Sequence, residues 1–207
     1  TMERIDPVRY ISNDSSGKMG YALARSAASL GARVVLLSAN VRLASPPGVN
    51  VVKVVSAQDM YDAALARLPE ADIVIMAAAV ADYRPVRAHA HKIKKSEDRM
   101  VLELEKTPDI LSEIGRRKGR RFVVGFAAET EHLEQYAMDK LVRKRCDLVV
   151  ANDVSLPGGG FGSDQNEVKV FDHNGLVEQI PLMSKDRVAD RLMALIADRA
   201  ASSRGEA

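Results

Sequence analysis

The apolar residues of this chain recur with two alternating spacings, one typical of helices and the other typical of buried strands. Residues 17–30 carry apolar side chains every three or four positions, which predicts an amphipathic helix. Residues 33–38 and 72–78 are almost entirely apolar, as expected of strands buried on both faces of a parallel sheet. A series of strand–helix–strand units of this kind predicts a doubly wound α/β sheet with helices on both faces.

The same alternation continues to the end of the chain. Further helices are predicted at residues 57–68, 108–118, 131–145 and 185–199, and further strands at 8–11, 51–55, 101–104, 122–127, 147–151, 167–171 and 176–180. The last two strands flank His173, Asn174 and Gly175, which favour a hairpin turn. We therefore expect a Rossmann-like, mostly parallel sheet with a C-terminal antiparallel hairpin, followed by a frayed tail at 200–207.

Residues 80–98 interrupt this alternation. They are polar and basic without clear periodicity, which predicts a long flap loop. The flap contains Lys92, Lys94 and Lys95, and a mobile loop with several ammonium groups suits a clamp on a triphosphate. A solvated run of surface charge is the alternative interpretation of these lysines.

Composition limits the classes of function. The length of 207 residues suits a single domain, and the net charge of +2 gives no general surface for binding polyanions. The absence of Trp and the aromatic content of 4% argue against nucleic-acid binding by base stacking. A single cysteine, Cys146, excludes an internal disulfide and, without a predicted membrane span, fits a cytoplasmic location.

Polar residues gather at the predicted edge of the sheet where ligands of open α/β sheets bind, beyond the carboxyl ends of the strands. Ser15, Ser16, Gly17 and Lys18 follow the first strand and open a helix, where amides, hydroxyls and an ammonium group can bind phosphate. Three more polar residues follow later strands: Asp82, Glu129 and Asn152.

Several of these features have two interpretations. Lys140 and Lys144 share one helix face, where they can bind a ligand or simply complement the helix dipole. The glycine-rich segment 158–162 can cradle phosphate or be a plain loop, and Asp82 can bind a ligand or cap a turn. The four histidines lack metal-ligand spacing, so metal ligands stay unassigned. The residues by themselves predict a nucleotide- or phosphate-binding α/β enzyme without covalent catalysis.

A set of motifs then points to one enzyme family. They are DPVRYISNDSSGKMG (6–20), AAVADYR (78–84), KIKK (92–95), TPDI (107–110), VGFAAET (124–130), ANDV (151–154) and FGSDQN (161–166). In this order they resemble phosphopantothenate–cysteine ligase (phosphopantothenoylcysteine synthetase) of the bacterial type. That enzyme is usually the C-terminal half of a bifunctional coenzyme A biosynthesis protein.

The resemblance implies a ligase that activates the carboxylate of 4′-phosphopantothenate with CTP and Mg²⁺. An acyl-cytidylate and pyrophosphate form, and the amine of L-cysteine then displaces CMP. The resemblance also implies a homodimer and, because the flavin-binding half is absent, no FMN in this chain. Family members open with an apolar strand and a Gly-rich turn ahead of the position of Thr1, so the first strand is expected to be missing.

The resemblance also assigns roles to residues. Asn13 and Lys92 match catalytic residues, and Ser15, Ser16, Gly17 and Lys18 are expected at a substrate phosphate. The nucleotide-binding positions are Met76, Ala77, Ala78, Asp82, Lys92, Pro108, Asp109, Ile110, Leu111, Phe126, Lys140 and Lys144. Phe126 also fits a plain core position, since it lies in a predicted strand.

Two other functions compete with this assignment. An NAD(P)-dependent Rossmann reductase is disfavoured because no G-x-G-x-x-G motif follows a strand. A non-catalytic oligomerisation domain is the second alternative, since an incomplete nucleotide site would leave a folded domain without activity.

Overall fold

The computed structural model describes residues 1–95, 99–129, 131–153 and 162–205. The strands are β1 (Met2–Arg4), β2 (Tyr10–Ser12), β3 (Val34–Ala39), β4 (Val49–Val54), β5 (Ile73–Met76), β6 (Tyr83–Pro85), β7 (Leu104–Lys106), β8 (Phe122–Glu129), β9 (Leu148–Asp153), β10 (Gln165–Asp172) and β11 (Gly175–Ser184). The α-helices are α1 (Lys18–Ser29), α2 (Ala57–Arg67), α3 (Ile110–Arg116), α4 (Leu133–Lys144) and α5 (Lys185–Gly205), with a short 3₁₀ helix at Leu68–Glu70.

A five-stranded sheet with the spatial order β5–β8–β9–β10–β11 forms the centre of the molecule. β5, β8 and β9 run parallel, whereas β10 and β11 are antiparallel additions at one edge. β3 and β4 form a separate parallel pair. The predicted mixed α/β sheet with a C-terminal hairpin is confirmed.

Helices cover both faces of this sheet. α1 and α5 pack on one face through a core that includes Leu23 and Leu192. α2, α3 and α4 pack on the other face through a core that includes Ile114 and Leu141. Consecutive strand side chains point to opposite faces, so neighbouring residues of β8 enter both cores. This double burial explains the continuous apolar runs in the sequence.

The turn between β10 and β11 forms where the sequence predicts it. Asp172 pairs with Gly175 across the hairpin, so His173 and Asn174 make the turn. The Asp172 carboxylate accepts a hydrogen bond from the Asn174 amide at 2.7 Å, and Gly175 has a φ of 114°. A left-handed φ of this kind favours glycine, which has no Cβ to clash.

The prediction of a strand at residues 101–104 is wrong. The strand observed there, β7, is shifted to Leu104–Lys106 and pairs antiparallel with β6 outside the central sheet. Of the apolar residues that prompted the prediction, Val101 is 92% exposed and Leu104 is 42% exposed. The β6–β7 pair instead closes the base of the flap, which therefore contains a short strand that its polar sequence did not indicate.

The structure also differs from the predictions near the N-terminus and at the C-terminal tail. β2 pairs with β1 in a two-stranded hairpin and does not join the central sheet. The predicted frayed tail is helical as far as Gly205, because Ala200 is buried in the core and the Ser202 hydroxyl donates to the Asp198 carbonyl. Among the described residues, no helix is long and apolar enough to cross a membrane.

Candidate active site

A cleft of about 750 Å³ lies beyond the carboxyl ends of β5, β8 and β9. Of the described residues, six basic side chains but only three carboxylates line it. The basic residues are Lys18, Lys106, Lys140, Arg143, Lys144 and Lys185. The whole chain is nearly neutral, so this excess of positive charge is a local property of the cleft and suits an anionic ligand.

Asn13 lies in the loop between β2 and α1, in the middle of the N-terminal motif of residues 6–20. Its side-chain amide donates to the Ala79 carbonyl at 2.9 Å, which joins this loop to the segment that follows β5. Gly17 precedes α1 with a φ of 76°, and a Cβ there would come within 2.5 Å of the Val41 side chain. Only glycine therefore fits at this point of the loop.

A charged pair between α3 and α4 borders the other part of the cleft. The Asp109 carboxylate caps α3 by accepting from the Ser112 amide at 3.0 Å, and it also forms an ion pair with Lys144. Burial acts to raise the pKa of Asp109, but the hydrogen bonds from Lys144 and Ser112 outweigh it, so the pKa lies below its ordinary value. The Asp109 carboxyl group is therefore ionised at neutral pH.

Lys140 lies one helical turn before Lys144 on α4, and its ammonium group donates to the Phe126 carbonyl of β8. Burial lowers the pKa of Lys140, and the nearby carboxylate of Glu129 offsets this only in part. Phe126 is half-buried, packs against the sheet core and lines the cleft. The core position of Phe126 is therefore confirmed, and its contact with a nucleotide stays a prediction.

Lys92 does not line the cleft, and neither do Lys94 and Lys95 of the same flap. Its side chain is exposed, and the flap beside it is tied to the N-terminal motif. The Asp6 carboxylate accepts from the Ile93 amide at 3.2 Å, and the Arg9 guanidinium donates to the Ile93 carbonyl at 3.2 Å. Two nitrogens of the Arg9 guanidinium also donate to the Asp6 carboxylate. This pairing is the main reason why the pKa of Asp6 lies far below its usual range.

All other predicted site residues line the cleft: Asn13, Ser15, Ser16, Gly17, Lys18, Met76, Ala77, Ala78, Asp82, Pro108, Asp109, Ile110, Leu111, Phe126, Lys140 and Lys144. Of the possible phosphate cradle at 158–162, residues 158–161 lie outside the described residues, and the Gly162 carbonyl accepts a hydrogen bond from the Lys18 ammonium group at 3.2 Å. The roles of these positions stay predictions, but the fold does bring them into one cavity.

The cleft also contains residues to which the sequence gave no role, among them Tyr136, Arg143, Asn166 and Lys185. Tyr136 and Arg143 lie one turn from Lys140 on α4, so helical spacing offered a signal for them. Asn166 ends the FGSDQN motif (161–166), to which no role was assigned, and lies in β10, whereas Lys185 starts α5 and belongs to none of the motifs. Only the folded chain shows that they face the same cavity.

The donor atoms of the cleft suit a hard divalent cation only in part. Asp82 and Glu129 supply carboxylate oxygens there, which are the ligands Mg²⁺ prefers. Across the described ranges, no group of three or more His, Cys, Asp or Glu side chains is placed to hold a metal ion. This donor set fits a cation held mainly by the phosphates of a ligand.

Comparison with known proteins agrees with this architecture. The family model of the DNA/pantothenate metabolism flavoprotein C-terminal domain matches residues 1–200. The chain is 49% identical over 198 residues to the coenzyme A biosynthesis bifunctional protein CoaBC of Bacillus subtilis, covering 95% of this chain and 49% of that protein. The chain thus spans about half the length of the curated relatives it matches.

Two solved structures share the fold. The C-terminal domain of a coenzyme A biosynthesis bifunctional protein CoaBC superposes with a TM-score of 0.80 at 42% identity, covering 95% of this chain and 89% of that one. The DNA/pantothenate metabolism flavoprotein from Streptococcus pneumoniae gives a TM-score of 0.82 at 25% identity, covering 96% and 95%. The family model, the relatives and these structures together confirm the resemblance, and the chain belongs to the family of the DNA/pantothenate metabolism flavoprotein C-terminal domain.

Proposed function

We propose that this chain is a CTP-dependent phosphopantothenate–cysteine ligase that acts through an acyl-cytidylate. The single observation that carries the proposal is the basic cleft, which combines an excess of positive charge with nearly all the positions matched to the ligase family. A volume of about 750 Å³ suits a nucleotide together with a second small substrate.

The arrangement of the cleft supports activation of an acid by a nucleotide. A carboxylate is a poor acyl donor, and transfer of a nucleotidyl group to it creates a good leaving group without any protein nucleophile. Such a reaction depends on positioning and on charge stabilisation, which lysines around a triphosphate supply. Cys146 is fully buried, and burial raises the pKa of its thiol to about 11, so it is unsuited to act as a nucleophile.

The proposed roles follow from position. Lys140 and Lys144 bind the nucleotide beside Phe126 and Asp109, and Lys92 reaches the phosphates from the flap. Asn13 holds the acyl-cytidylate close to the Ala79 backbone without adding charge to the site. The hydroxyls of Ser15 and Ser16, with Gly17 and Lys18, bind a substrate phosphate at the start of α1.

Mg²⁺ would arrive with the triphosphate, and Asp82 and Glu129 are the cleft carboxylates that would hold it. It would neutralise part of the phosphate charge during transfer. L-Cysteine is the amine substrate in this proposal, and a homodimer in the cytoplasm is the proposed state of the protein.

The test is to mix the purified protein with Mg²⁺, 4′-phosphopantothenate and L-cysteine and to measure pyrophosphate release with CTP or with ATP. We expect release with CTP that requires 4′-phosphopantothenate, followed by CMP and an amide with cysteine. Release with ATP alone would contradict the nucleotide assignment, and no release with either nucleotide would contradict the ligase. An NAD(P)H oxidation assay on the same sample tests the reductase alternative.

A further inference from the structure

Two lysines from distant parts of the sequence meet at one end of the cleft. Lys18 is the first residue of α1 and Lys185 is the first residue of α5, and both line the cavity. Asp164 connects them, because its carboxylate forms an ion pair with Lys18 at 2.6 Å and its carbonyl accepts from the Lys185 amide at 2.9 Å. The cluster therefore contains two ammonium groups and one carboxylate.

Lys185 is a buried cation at the start of a helix. The residue is only 7% exposed, and a cation at a helix N-terminus faces the positive end of the helix dipole. Burial and then the charge of Lys18 lower the pKa of Lys185, whereas Asp164 acts in the opposite direction. Lys18 has the same disadvantage at the start of α1, whose first turn contains no acidic residue.

Two uncharged amide side chains, Asn166 and Asn152, also line the cleft. Asn166 is 5% exposed, and its side-chain oxygen accepts from the Glu167 amide at 3.1 Å, which orients the side chain. Asn152 closes the floor at the end of β9. Asp164 is exposed and holds Lys18 in a surface ion pair, an interaction weak enough for a doubly charged anion to displace.

We propose that Lys185, together with Lys18 and Asn166, binds the phosphomonoester of the phosphorylated acid substrate. This inference rests on the proposed ligase function. The nucleotide is placed at the end of the cleft that holds Lys140 and Lys144. In 4′-phosphopantothenate, the phosphate and the reacting carboxylate are at opposite ends of the molecule, so its phosphate must lie away from the nucleotide. Lys18 at the start of α1 and Lys185 at the start of α5 supply the positive charge that this phosphate needs.

The test compares 4′-phosphopantothenate with pantothenate, which lacks the phosphate, in CTP-dependent pyrophosphate release. The variants are Lys185→Met, Lys185→Arg and, as a control, Arg187→Gln, which removes an exposed charge from the same helical turn. In Lys185→Met we expect kcat/KM for 4′-phosphopantothenate to fall by about 10- to 100-fold, since a charge-assisted hydrogen bond is lost. The ratio of kcat/KM for 4′-phosphopantothenate to kcat/KM for pantothenate should fall by the same factor, and the KM for CTP should stay unchanged.

Lys185→Arg should recover part of that preference, and Arg187→Gln should match the wild type. An equal loss for both acids in Lys185→Met would overturn the assignment, because it would mean a structural role. A raised KM for CTP with the preference intact would also overturn it, since the bound phosphate would then belong to the nucleotide. If the wild type releases no pyrophosphate with CTP, the proposed ligase function itself fails.

Discussion

Lys140 shows how one side chain acquires its properties from the fold. Its sequence neighbours place it on a helix face, but only the approach of α4 to β8 brings its ammonium group to the Phe126 carbonyl. The same approach removes water, and this desolvation is the main reason why its pKa lies below that of an ordinary lysine.

A pH dependence follows from this environment. A lowered pKa means that Lys140 loses its proton at a lower pH than an exposed lysine, whose pKa is about 10.4. Since the proposed binding of a triphosphate by Lys140 needs the ammonium form, we expect kcat/KM for CTP to decrease as the pH rises, ahead of the ordinary lysine range. Arginine keeps its charge throughout, so the profile of Lys140→Arg should lack this decrease. Superimposable profiles of the two proteins would show that Lys140 is not responsible.

Contacts between elements hold the site together at two places, the α3–α4 contact and the base of the flap. At Gly115 on α3, an added Cβ would lie 1.9 Å from the Lys144 carbonyl oxygen of α4. Glycine is needed here for close approach of two backbones, and that approach places Asp109 next to Lys144.

We therefore expect Gly115→Ala to force α3 and α4 apart. The free energy of unfolding should fall by about 1–3 kcal/mol, the usual cost of overpacking, and the KM for CTP should rise. Urea denaturation and steady-state kinetics measure the two effects. Gly20→Ala is the control for stability, because nothing lies within 4 Å of the added Cβ in α1, and it should be neutral or stabilising by up to about 1 kcal/mol. Equal midpoints for both variants would disprove the packing argument.

The flap depends on the buried Asp6 carboxylate, which binds Arg9 and the Ile93 amide together. In Asp6→Asn the charge that holds Arg9 is lost, so we expect faster tryptic cleavage at Lys92, Lys94 or Lys95 and a higher KM for CTP. Asp190→Asn, an exposed change on α5, should do neither. The pKa of Asp6 lies far below its usual range, mainly because of Arg9, so the tether should persist unchanged above about pH 5. Unaltered cleavage in Asp6→Asn would show that the flap is held elsewhere.

At the scale of the whole molecule, half of the exposed large apolar side chains among the described residues lie in or close to the two small ribbons, β1–β2 and β6–β7. Examples are Val8 (56% exposed), Val86 (49%) and Val101 (92%). β1 and β6 lie against each other, which brings the two ribbons together. An apolar surface of this kind favours association, and we expect the proposed homodimer to form through it.

Sedimentation velocity over a concentration series tests this expectation. The wild type should sediment at twice the chain mass, and Val86→Glu should shift the equilibrium towards the monomer. Leu176→Glu, which adds the same charge at a similarly exposed position (54%) on the far hairpin, should leave the dimer intact. A wild type that stays monomeric at every concentration would contradict the homodimer.

The sequence by itself determined the class of the fold and most of the candidate site. The spacing of apolar residues distinguishes helices from buried strands, because a helix here buries one face and a central strand buries both of its faces. The turn at His173 and Asn174 and the helix start at Gly17 were equally local, since they depend on the backbone freedom of glycine and on adjacent polar residues.

Only the tertiary structure decided what depends on distant partners. Val101 belongs to an apolar run that reads as a strand, yet it stays in solvent because β7 pairs with β6 and not with the central sheet. Lys185 carries no local signal of function, and it enters the cleft because α5 packs beside α1 and sets both helix starts at the same end. Periodicity records which face of a segment is buried. It does not record which other segment packs against that face, and this packing determines which charged side chains meet in the cleft.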